Sequence, residues 1–164
     1  IEIGAGGYPG KAHLDPKEYL NNPAKVQELK DLLKKYNLKF SALACHGNPV
    51  HPNKEIAARF HEEFVDAMKL AVMLDVDTII GFSGCPGDCE ESKNPNWVTC
   101  AWPPDYLEIL DWQWNEVLIP YWKETAKLAE ENFIRYGQDI FRCVLGITTE
   151  NPAMYRDFLE NQEK

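Results

Sequence analysis

The sequence predicts an α/β fold built on a parallel sheet. Segments of β-forming residues begin near Ile1, Lys39 and Val76, at nearly equal intervals along the 164 residues. Helical patterns occupy the intervals, and small polar residues follow each predicted strand. Regular alternation of strand and helix at this spacing is typical of right-handed βαβ units, which place the strands parallel and adjacent. Three such units and a fourth, less regular one are therefore expected.

The composition indicates a globular chain with an acidic surface. Hydrophobic residues make up 45%, with five Trp, seven Tyr and seven Phe, which excludes extensive disorder. The formal charge of −9 argues against nucleic acid and against anionic membranes, because both select basic surfaces. No run approaches the roughly 20 apolar residues of a membrane span, and none resembles a signal peptide. A cytoplasmic location is expected, with the five cysteines reduced because they lack a disulfide-framework spacing.

The first unit is expected to be a strand, a Gly-rich turn and a helix. Residues 1–3 suit a strand, and the GAGGYPG run after them suits a flexible turn. This run does not match the dinucleotide fingerprint GxGxxG, because Pro9 stands where the last glycine would be. Asn22 and Pro23 form an N-cap and first helical position. Four apolar residues then follow at helical spacing: Val26, Leu29, Leu33 and Tyr36.

The second unit contains the most informative stretch of the chain. Residues 40–45 carry no charge and suit a strand covered on both faces, and His46, Gly47 and Asn48 follow at its end. Ligands of α/β folds bind at the carboxyl ends of parallel strands. An amphipathic helix is expected from about residue 53 to 74. Its apolar face would consist of Ile56, Phe60, Phe64, Met68 and Ala71.

The third unit contains an unusually long loop. A strand is expected at residues 76–82, and residues 83–104 are rich in Gly, Pro, Asn, Cys and Trp. Loops of this length in compact domains are usually functional. A helix is expected over residues 105–131, and Pro120 should kink or split it. Beyond it, residues 140–147 are the candidate for a fourth strand and residues 151–164 for a final helix.

Four strings carry a resemblance to a known family: FSALACHGNPVHPN, DTIIGFSGCPGD, PNWVTCAWPPDYLEILDWQW and IPYWKETAKLAEEN. With these strings in order, the chain resembles the sugar phosphate isomerase/epimerase family, the xylose-isomerase-like TIM barrels. The resemblance covers residues 1–132, whereas residues 133–164 diverge from the family pattern. It implies a (β/α)8 barrel, which needs about 250 residues. Residues 1–164 are therefore expected to form one incomplete domain, a partial TIM barrel.

The resemblance also implies a reaction. In this family a divalent metal polarises the carbonyl and a neighbouring hydroxyl of a sugar or sugar phosphate, and a proton moves at the adjacent carbon. Hard oxygen ligands favour manganese, magnesium or cobalt, and zinc is also compatible. The family's ligands start at strand four with Glu, one residue, His and Pro, a pattern that residues 133–150 lack. We therefore expect no metal ligand and no catalytic residue in this chain, and no activity from it alone.

Six residues are candidates for binding the sugar that the resemblance implies: His46, Asn48, His51, Gly84, Trp97 and Trp102. His46 and Asn48 would hydrogen-bond sugar hydroxyls. A structural role is the alternative for each residue. His46 would cap the loop through backbone carbonyls, His51 would orient the following helix, and Gly84 would serve a tight turn. The tryptophans would form an apolar wall against the sugar, or fill the core under the long loop.

Two other ligands were weighed on the same loops. A structural zinc would use Cys85, Cys89, Cys100 and His46. It is disfavoured because the Cys-x3-Cys spacing has no second matching pair. A phosphate would find no arginine in the first three strand-end loops and would depend on three lysines: Lys11, Lys54 and Lys93. An unphosphorylated sugar or polyol therefore fits at least as well as a sugar phosphate.

Two other functions use the same fold. A non-catalytic sugar-binding or assembly module would employ the same loops without turnover. A DNA-repair endonuclease of the same superfamily is disfavoured by the acidic charge and the lack of a basic groove. An incomplete barrel would also leave a sheet edge unpaired, so self-association is expected.

Overall fold

A computed structural model describes residues 1–131 in full and residues 135–137 by their backbone. The elements in chain order are β1 (Glu2–Gly7), α1 (Pro16–Leu20), α2 (Pro23–Lys35), β2 (Ala42–His46), α3 (Lys54–Met73), β3 (Thr78–Ile80), α4 (Asp105–Trp112), a π-helical segment (Gln113–Leu118), α5 (Ile119–Glu131) and β4 (Arg135–Gly137). No helix within these ranges is long and apolar enough to cross a membrane.

The four strands form one sheet in the order β1-β2-β3-β4, and each neighbouring pair is parallel. Strand order and chain order coincide, and α2, α3 and the α4–α5 helix connect successive strands. This arrangement is that of consecutive βα units in a barrel. The predicted α/β class and partial TIM barrel are therefore confirmed.

The helices cover one face of the sheet. Leu43 of β2 is in register with Ile3 on one side and Ile79 on the other, so the three side chains share a face. Leu43 and Ile79 are fully buried in a cluster with Phe64 and Met68 of α3. Because side chains alternate along a strand, Ala42, Ala44 and His46 belong to the opposite face.

Side-chain caps fix the starts of the three helices that precede β3. The Asp15, Asn22 and Asn53 side chains each accept a hydrogen bond from a backbone N–H in the first turn of the helix that follows. Pro16 and Pro23 occupy the first helical positions of α1 and α2. The predicted starts of α2 and α3 are confirmed. Helix α1 was not predicted, although Asp15-Pro16 carries the same signal as Asn22-Pro23.

The predicted apolar stripe of α3 faces the core. Phe60, Phe64, Met68 and Ala71 are buried, and Ile56 is half-buried at the first turn. Their spacing repeats every three to four residues, which matches one side of an α-helix. The stripe therefore packs α3 against the face of the sheet opposite to His46.

Pro120 changes the hydrogen bonding of the helix that contains it. The helix runs from α4 into α5 over the predicted range, but Gln113–Leu118 has π-helical geometry. Proline has no N–H, and its ring crowds the preceding turn, so the regular α ladder cannot continue through it. The predicted kink or split therefore takes the form of a widened turn in a continuous helix.

The Gly-rich run is part of a strand. We expected residues 4–10 to form a turn, but β1 extends to Gly7. The register with β2 shifts between Gly4 and Gly6, and Gly6 and Gly7 have φ values of 150° and 73°. Such conformations suit a β-bulge, which glycine adopts without strain. The predicted turn therefore begins only after Gly7.

The fourth strand lies earlier in the chain than we predicted. Arg135–Gly137 pairs with Thr78–Ile80, ahead of the candidate at residues 140–147. Three residues are too few to show the apolar and polar alternation of a strand, which is recognisable only over four or more residues. Residues 140–147 and the predicted helix at 151–164 lie outside the described residues.

Candidate functional site

His46 stands at the carboxyl end of β2, on the sheet face opposite the helices. Its ring lies edge-on to the ring of Phe82, with centroids 4.7 Å apart. Its Nδ1 is buried and has no hydrogen-bond partner among the described residues. A buried polar atom without a partner costs free energy and is rare in a folded core. A bound water or a ligand group at the strand end would satisfy this atom.

Tyr8 borders the same strand end and was not predicted. The Tyr8 backbone N–H donates to the His46 carbonyl oxygen at 2.7 Å, which joins the end of β1 to the end of β2. The Tyr8 ring lies 5.0 Å from the Phe60 ring, and the residue is 63% exposed. The only sequence signal was an aromatic residue among glycines after a short strand. The Tyr8 backbone thus lies beside the end of β2, while its exposed ring packs against Phe60 of α3.

Glu63 of α3 holds the bulge that precedes Tyr8. Its Oε2 accepts the Gly7 N–H at 2.8 Å, and its Oε1 lies 3.7 Å from the Lys11 ammonium.

Burial, with a further contribution from the Glu63 charge, raises the pKa of the neighbouring Cys45 thiol to about 12. Cys45 is therefore a protonated core residue at neutral pH.

Asn48 connects the loops that follow β2 and β3. Its side-chain amide donates to the Cys85 carbonyl oxygen at 2.9 Å, and its carbonyl oxygen accepts the Cys85 N–H at 3.0 Å. The residue is only 5% exposed. Asn48 thus holds the backbone of the long loop beside the end of β2. Its hydrogen bond to a sugar hydroxyl stays a prediction.

Gly84 allows these two loops to approach each other. It has a φ of 97°, and a Cβ added to it would lie 2.5 Å from Val50 Cγ2 and 2.7 Å from Asn48 Oδ1. Any side chain would therefore collide with the loop after β2. The Gly84 backbone approaches protein atoms here, and its approach to a sugar stays a prediction.

His51 faces a different space from His46. Its Nδ1 accepts the backbone N–H of Asn53, the cap of α3, at 2.9 Å. This bond is the helix-orienting role considered above, and it leaves the ring proton of neutral His51 on Nε2. His51 lines a cavity of about 490 Å3 that also reaches Lys54 and Tyr121 and to which His46 does not contribute. The structure therefore does not bring the two histidines to one site.

The two candidate tryptophans have different surroundings. Trp97 is half-buried, lies edge-on to Trp114 with centroids 5.4 Å apart, and packs against the core. Its Nε1 is buried without a partner among the residues described. Trp102 is 77% exposed. Trp97 thus fills space under the long loop, as the structural alternative proposed, and a sugar contact by either ring stays a prediction.

Gln113 fixes the long loop and was not predicted. Its side-chain nitrogen donates to the carbonyl oxygens of Gly87 at 2.9 Å and Asn96 at 3.3 Å, and its oxygen accepts the Val98 N–H at 3.2 Å. The residue is 0% exposed. A single glutamine among aromatic residues gives no sequence signal of burial. The loop after β3 is therefore held at several points along its length.

The described residues do not offer a metal site. Within residues 1–131, no group of three or more His, Cys, Asp or Glu side chains is arranged to hold a metal ion. Cys85, Cys89 and Cys100 therefore do not form such a group with His46. A divalent metal of the kind that the resemblance implies does not fit the donors present in this part of the chain.

The fold and the strand-end site define a class of protein. Residues 2–139 match the family model described as "Xylose isomerase-like TIM barrel", and the chain belongs to that family. It therefore has the xylose isomerase-like TIM-barrel fold.

The chain is similar to one curated protein and to one solved structure. It is 38% identical over 133 residues to "Uncharacterized protein YfiH" of Bacillus subtilis (strain 168), covering 79% of this chain and 42% of that protein. The solved structure "Crystal structure of D-tagatose 3-epimerase-like protein" aligns with 84% of this chain and 52% of its own, at 13% identity and a TM-score of 0.42. The chain thus spans about half the length of these relatives.

Proposed function

We propose that this chain forms part of the sugar-binding wall of a sugar isomerase or epimerase. The observation that carries the proposal is the unpartnered Nδ1 of His46 at the carboxyl end of β2. A sugar hydroxyl is a suitable partner because it both donates and accepts hydrogen bonds. Phe82 supplies apolar surface for the carbon face of the same molecule. In this role the chain binds and orients the substrate.

The reaction that we propose for a complete barrel of this kind is proton transfer at the carbon next to the sugar carbonyl. Membership of the xylose isomerase-like family supports this reaction class. Such enzymes use a divalent metal to polarise the carbonyl. Since residues 1–131 hold no suitable donor group, the metal ligands of the proposed enzyme lie outside them. This chain alone is expected to be inactive.

An unphosphorylated sugar or polyol is the proposed ligand. Lys11 is the lysine nearest in sequence to the end of β1, and its ammonium lies 3.7 Å from Glu63 and 3.8 Å from Asp15. A cation already surrounded by two carboxylates has little attraction left for a phosphate. The strand-end groups are otherwise neutral, which favours a neutral ligand.

A non-catalytic sugar-binding module is the second candidate. It needs only the groups at the ends of β2 and β3, which lie within the described residues. The two candidates share the His46 site and differ in what a metal contributes. In the module, binding would persist after chelation and no bond in the sugar would change.

Calorimetric titration of the chain with a panel of ketoses, aldoses and polyols tests the proposal. We expect one or more of these sugars to bind in EDTA and to bind about threefold to tenfold more weakly to His46→Ala, the effect of one lost hydrogen bond. His13→Ala is the matched control, because His13 is an exposed histidine after the β1 turn. This variant should bind sugar with the affinity of the unsubstituted chain. Equal affinities of all three proteins, or no binding, would contradict the proposed site.

Deuterium exchange separates binding from turnover. The chain is incubated with the same sugars and Mn²⁺ in D2O, and proton NMR follows the carbon next to the carbonyl. We expect no exchange above the buffer rate. Exchange catalysed by this chain would overturn the assignment of the metal ligands to residues outside 1–131.

A further inference from the structure

The cavity beside His51 is a candidate binding site separate from the strand ends. Its volume of about 490 Å3 is within the usual range for small-molecule pockets. It lies between the start of α3, the beginning of the long loop, and the helix that runs from α4 into α5. Its polar and aromatic lining consists of His51, Lys54, Glu90, Trp112, Glu116 and Tyr121.

Two buried amides hold the walls of this cavity in place. Gln113 donates to the carbonyl oxygen of Gly87, which lines the cavity. Asn48 binds both backbone groups of Cys85, directly before the lining residue Pro86. Both amides are almost fully buried. The cavity is therefore formed before any ligand arrives, which lowers the entropic cost of binding.

The π-helical segment supplies the third wall. Trp112, Glu116, Val117 and Tyr121 all line the cavity, with sequence steps of four, one and four residues. A π turn contains more residues than an α turn, so both Glu116 and Val117 can accompany Trp112 on this side. The widened turn thus brings a carboxylate and apolar side chains together, and such turns are frequent at functional sites.

Three charged residues of the lining are exposed to solvent at the mouth of the cavity. None of Lys54, Glu90 and Glu116 forms an ion pair with any residue in the range 1–131. His51 uses Nδ1 for the Asn53 N–H and retains an Nε2 donor. The cavity therefore offers both donors and acceptors beside the aromatic surface of Trp112.

The charge pattern favours a neutral ligand. An anion would meet two carboxylates, and the first free N–H groups of α3, at Glu55 and Ile56, are already bound by the Asn53 side chain. A metal ion is also disfavoured, because the described residues contain no ligand group of three or more. A ring with several hydroxyls and an apolar face matches the donors, the acceptors and the indole together.

We propose that this cavity binds the ring form of a neutral sugar or a cyclitol, at a site distinct from the His46 strand end. Trp112 contacts the apolar face of the ring, Glu116 and Glu90 accept from its hydroxyls, and Lys54 and His51 donate to them. The two sites share the loops that follow β2 and β3, but His46 does not line this cavity, so loss of sugar binding at His46 would leave this proposal standing.

A filling substitution tests this site directly. Ala57 lines the cavity, whereas the adjacent Ala58 is exposed and does not. The chain, Ala57→Phe and Ala58→Phe are titrated with D-glucose, D-galactose and myo-inositol while backbone amide NMR shifts are recorded. We expect at least one of these probes to shift the amides of Lys54, Glu90 and Glu116. These shifts should disappear in Ala57→Phe and remain in Ala58→Phe.

A second pair of variants tests the same site if Ala57→Phe does not fold. Glu116→Gln should weaken binding about tenfold, the usual effect of losing a charged acceptor. Glu108→Gln, an exposed carboxylate on α4 outside the cavity, should not. His46→Ala should leave these shifts unchanged, which separates this site from the proposed sugar wall. Absence of shifts with every probe, equal effects of the paired variants, or tighter binding of glucose 6-phosphate than of glucose would overturn the assignment.

Discussion

Gly84 is the residue whose replacement separates conformational strain from steric collision. An alanine there would combine a φ of 97° with a Cβ 2.5 Å from Val50 Cγ2. We expect Gly84→Ala to lower the free energy of unfolding by about 3 kcal/mol, the sum of strain and overpacking. Gly10 is the matched control, because its φ is 78° and nothing lies within 4 Å of its added Cβ.

Gly10→Ala should cost only the strain, about 1 kcal/mol. Urea denaturation followed by circular dichroism measures both variants. Equal destabilisation of the two would show that the contact between the loops after β2 and β3 does not constrain position 84.

Cys45 gives the fold a dependence on alkaline pH. Burial raises the pKa of its thiol to about 12 in the folded state, whereas an unfolded thiol titrates near pH 8.5, about the ordinary value. The folded state therefore holds the proton more tightly. The contribution of this protonated thiol to the free energy of unfolding is fully present below the pKa of the thiol in the unfolded chain. It is lost as the pH rises towards 12.

We expect the free energy of unfolding to fall above about pH 8.5, and Cys45→Ala to reduce that slope. Cys89→Ala replaces an exposed thiol and should leave the slope unchanged. Urea midpoints measured across alkaline buffers provide the comparison. An identical slope for the parent chain and Cys45→Ala would contradict the burial of this thiol.

Among single residues, the position of His46 at the end of β2 was predictable because an apolar, uncharged segment ends at it. Its role in sugar binding stays a prediction. Gln113 and Tyr8 were not predictable, since whether a lone polar side chain is buried depends on tertiary packing. Asn48 and Gly84 were selected as ligand contacts, but the structure also places them in a clamp between two loops.

At the scale of elements, one helical side chain bonds the long loop after β3 at three points. Gln113 holds Gly87, Asn96 and Val98 through its amide. Gln113→Leu would leave these backbone groups buried without their partner, so we expect a loss of about 2 kcal/mol and faster hydrogen exchange within residues 83–104. Hydrogen exchange measured by mass spectrometry reports both effects.

Asn115→Leu is the matched control on the same helix. Asn115 is exposed and bonds only to Asp111, one turn away, so loop exchange should not change. If Gln113→Leu also left exchange in residues 83–104 unchanged, the loop would not depend on this amide.

Helices were more predictable than strands in this chain. The stripe and cap of α3 gave its bounds to within a residue, because both signals are local. The end of β1 was misplaced because glycine usually interrupts strands, and here it forms a bulge paired to β2. The sequence predicted a kink or a split at Pro120 but not a π-helical segment. The clash of a proline ring with the preceding turn can be relieved by more than one distortion.

At the scale of the whole molecule, the sheet determines how copies of the chain interact. Within the described residues β1 pairs with β2 alone, so its other edge has no strand partner. An unpaired edge is a template for another chain, and we propose that the chain self-associates. Light scattering over a range of concentrations should show a mass that rises with concentration. A constant monomer mass would contradict the proposal.

The fold class was predictable because three βα units repeat with nearly equal spacing, a property of the whole chain that tolerates errors in single elements. The proposed reaction class rests only on family resemblance. The residues that would carry out the chemistry cannot be inferred from a strand-end histidine, a clamped loop and a parallel sheet, because one barrel fold supports many reactions.

The most direct test of the account is the state of the His46 ring when an open-chain polyol is bound. Histidine-labelled protein is titrated with D-sorbitol, and the 15N resonances of the imidazole nitrogens are followed, with exposed His13 as internal reference. We predict that the Nδ1 resonance of His46 shifts on saturation while that of His13 does not, because His46 Nδ1 is buried without a partner among the described residues, whereas His13 is exposed to solvent. A His46 Nδ1 resonance that stays unchanged at saturating sorbitol would contradict the claim that this strand end binds sugar.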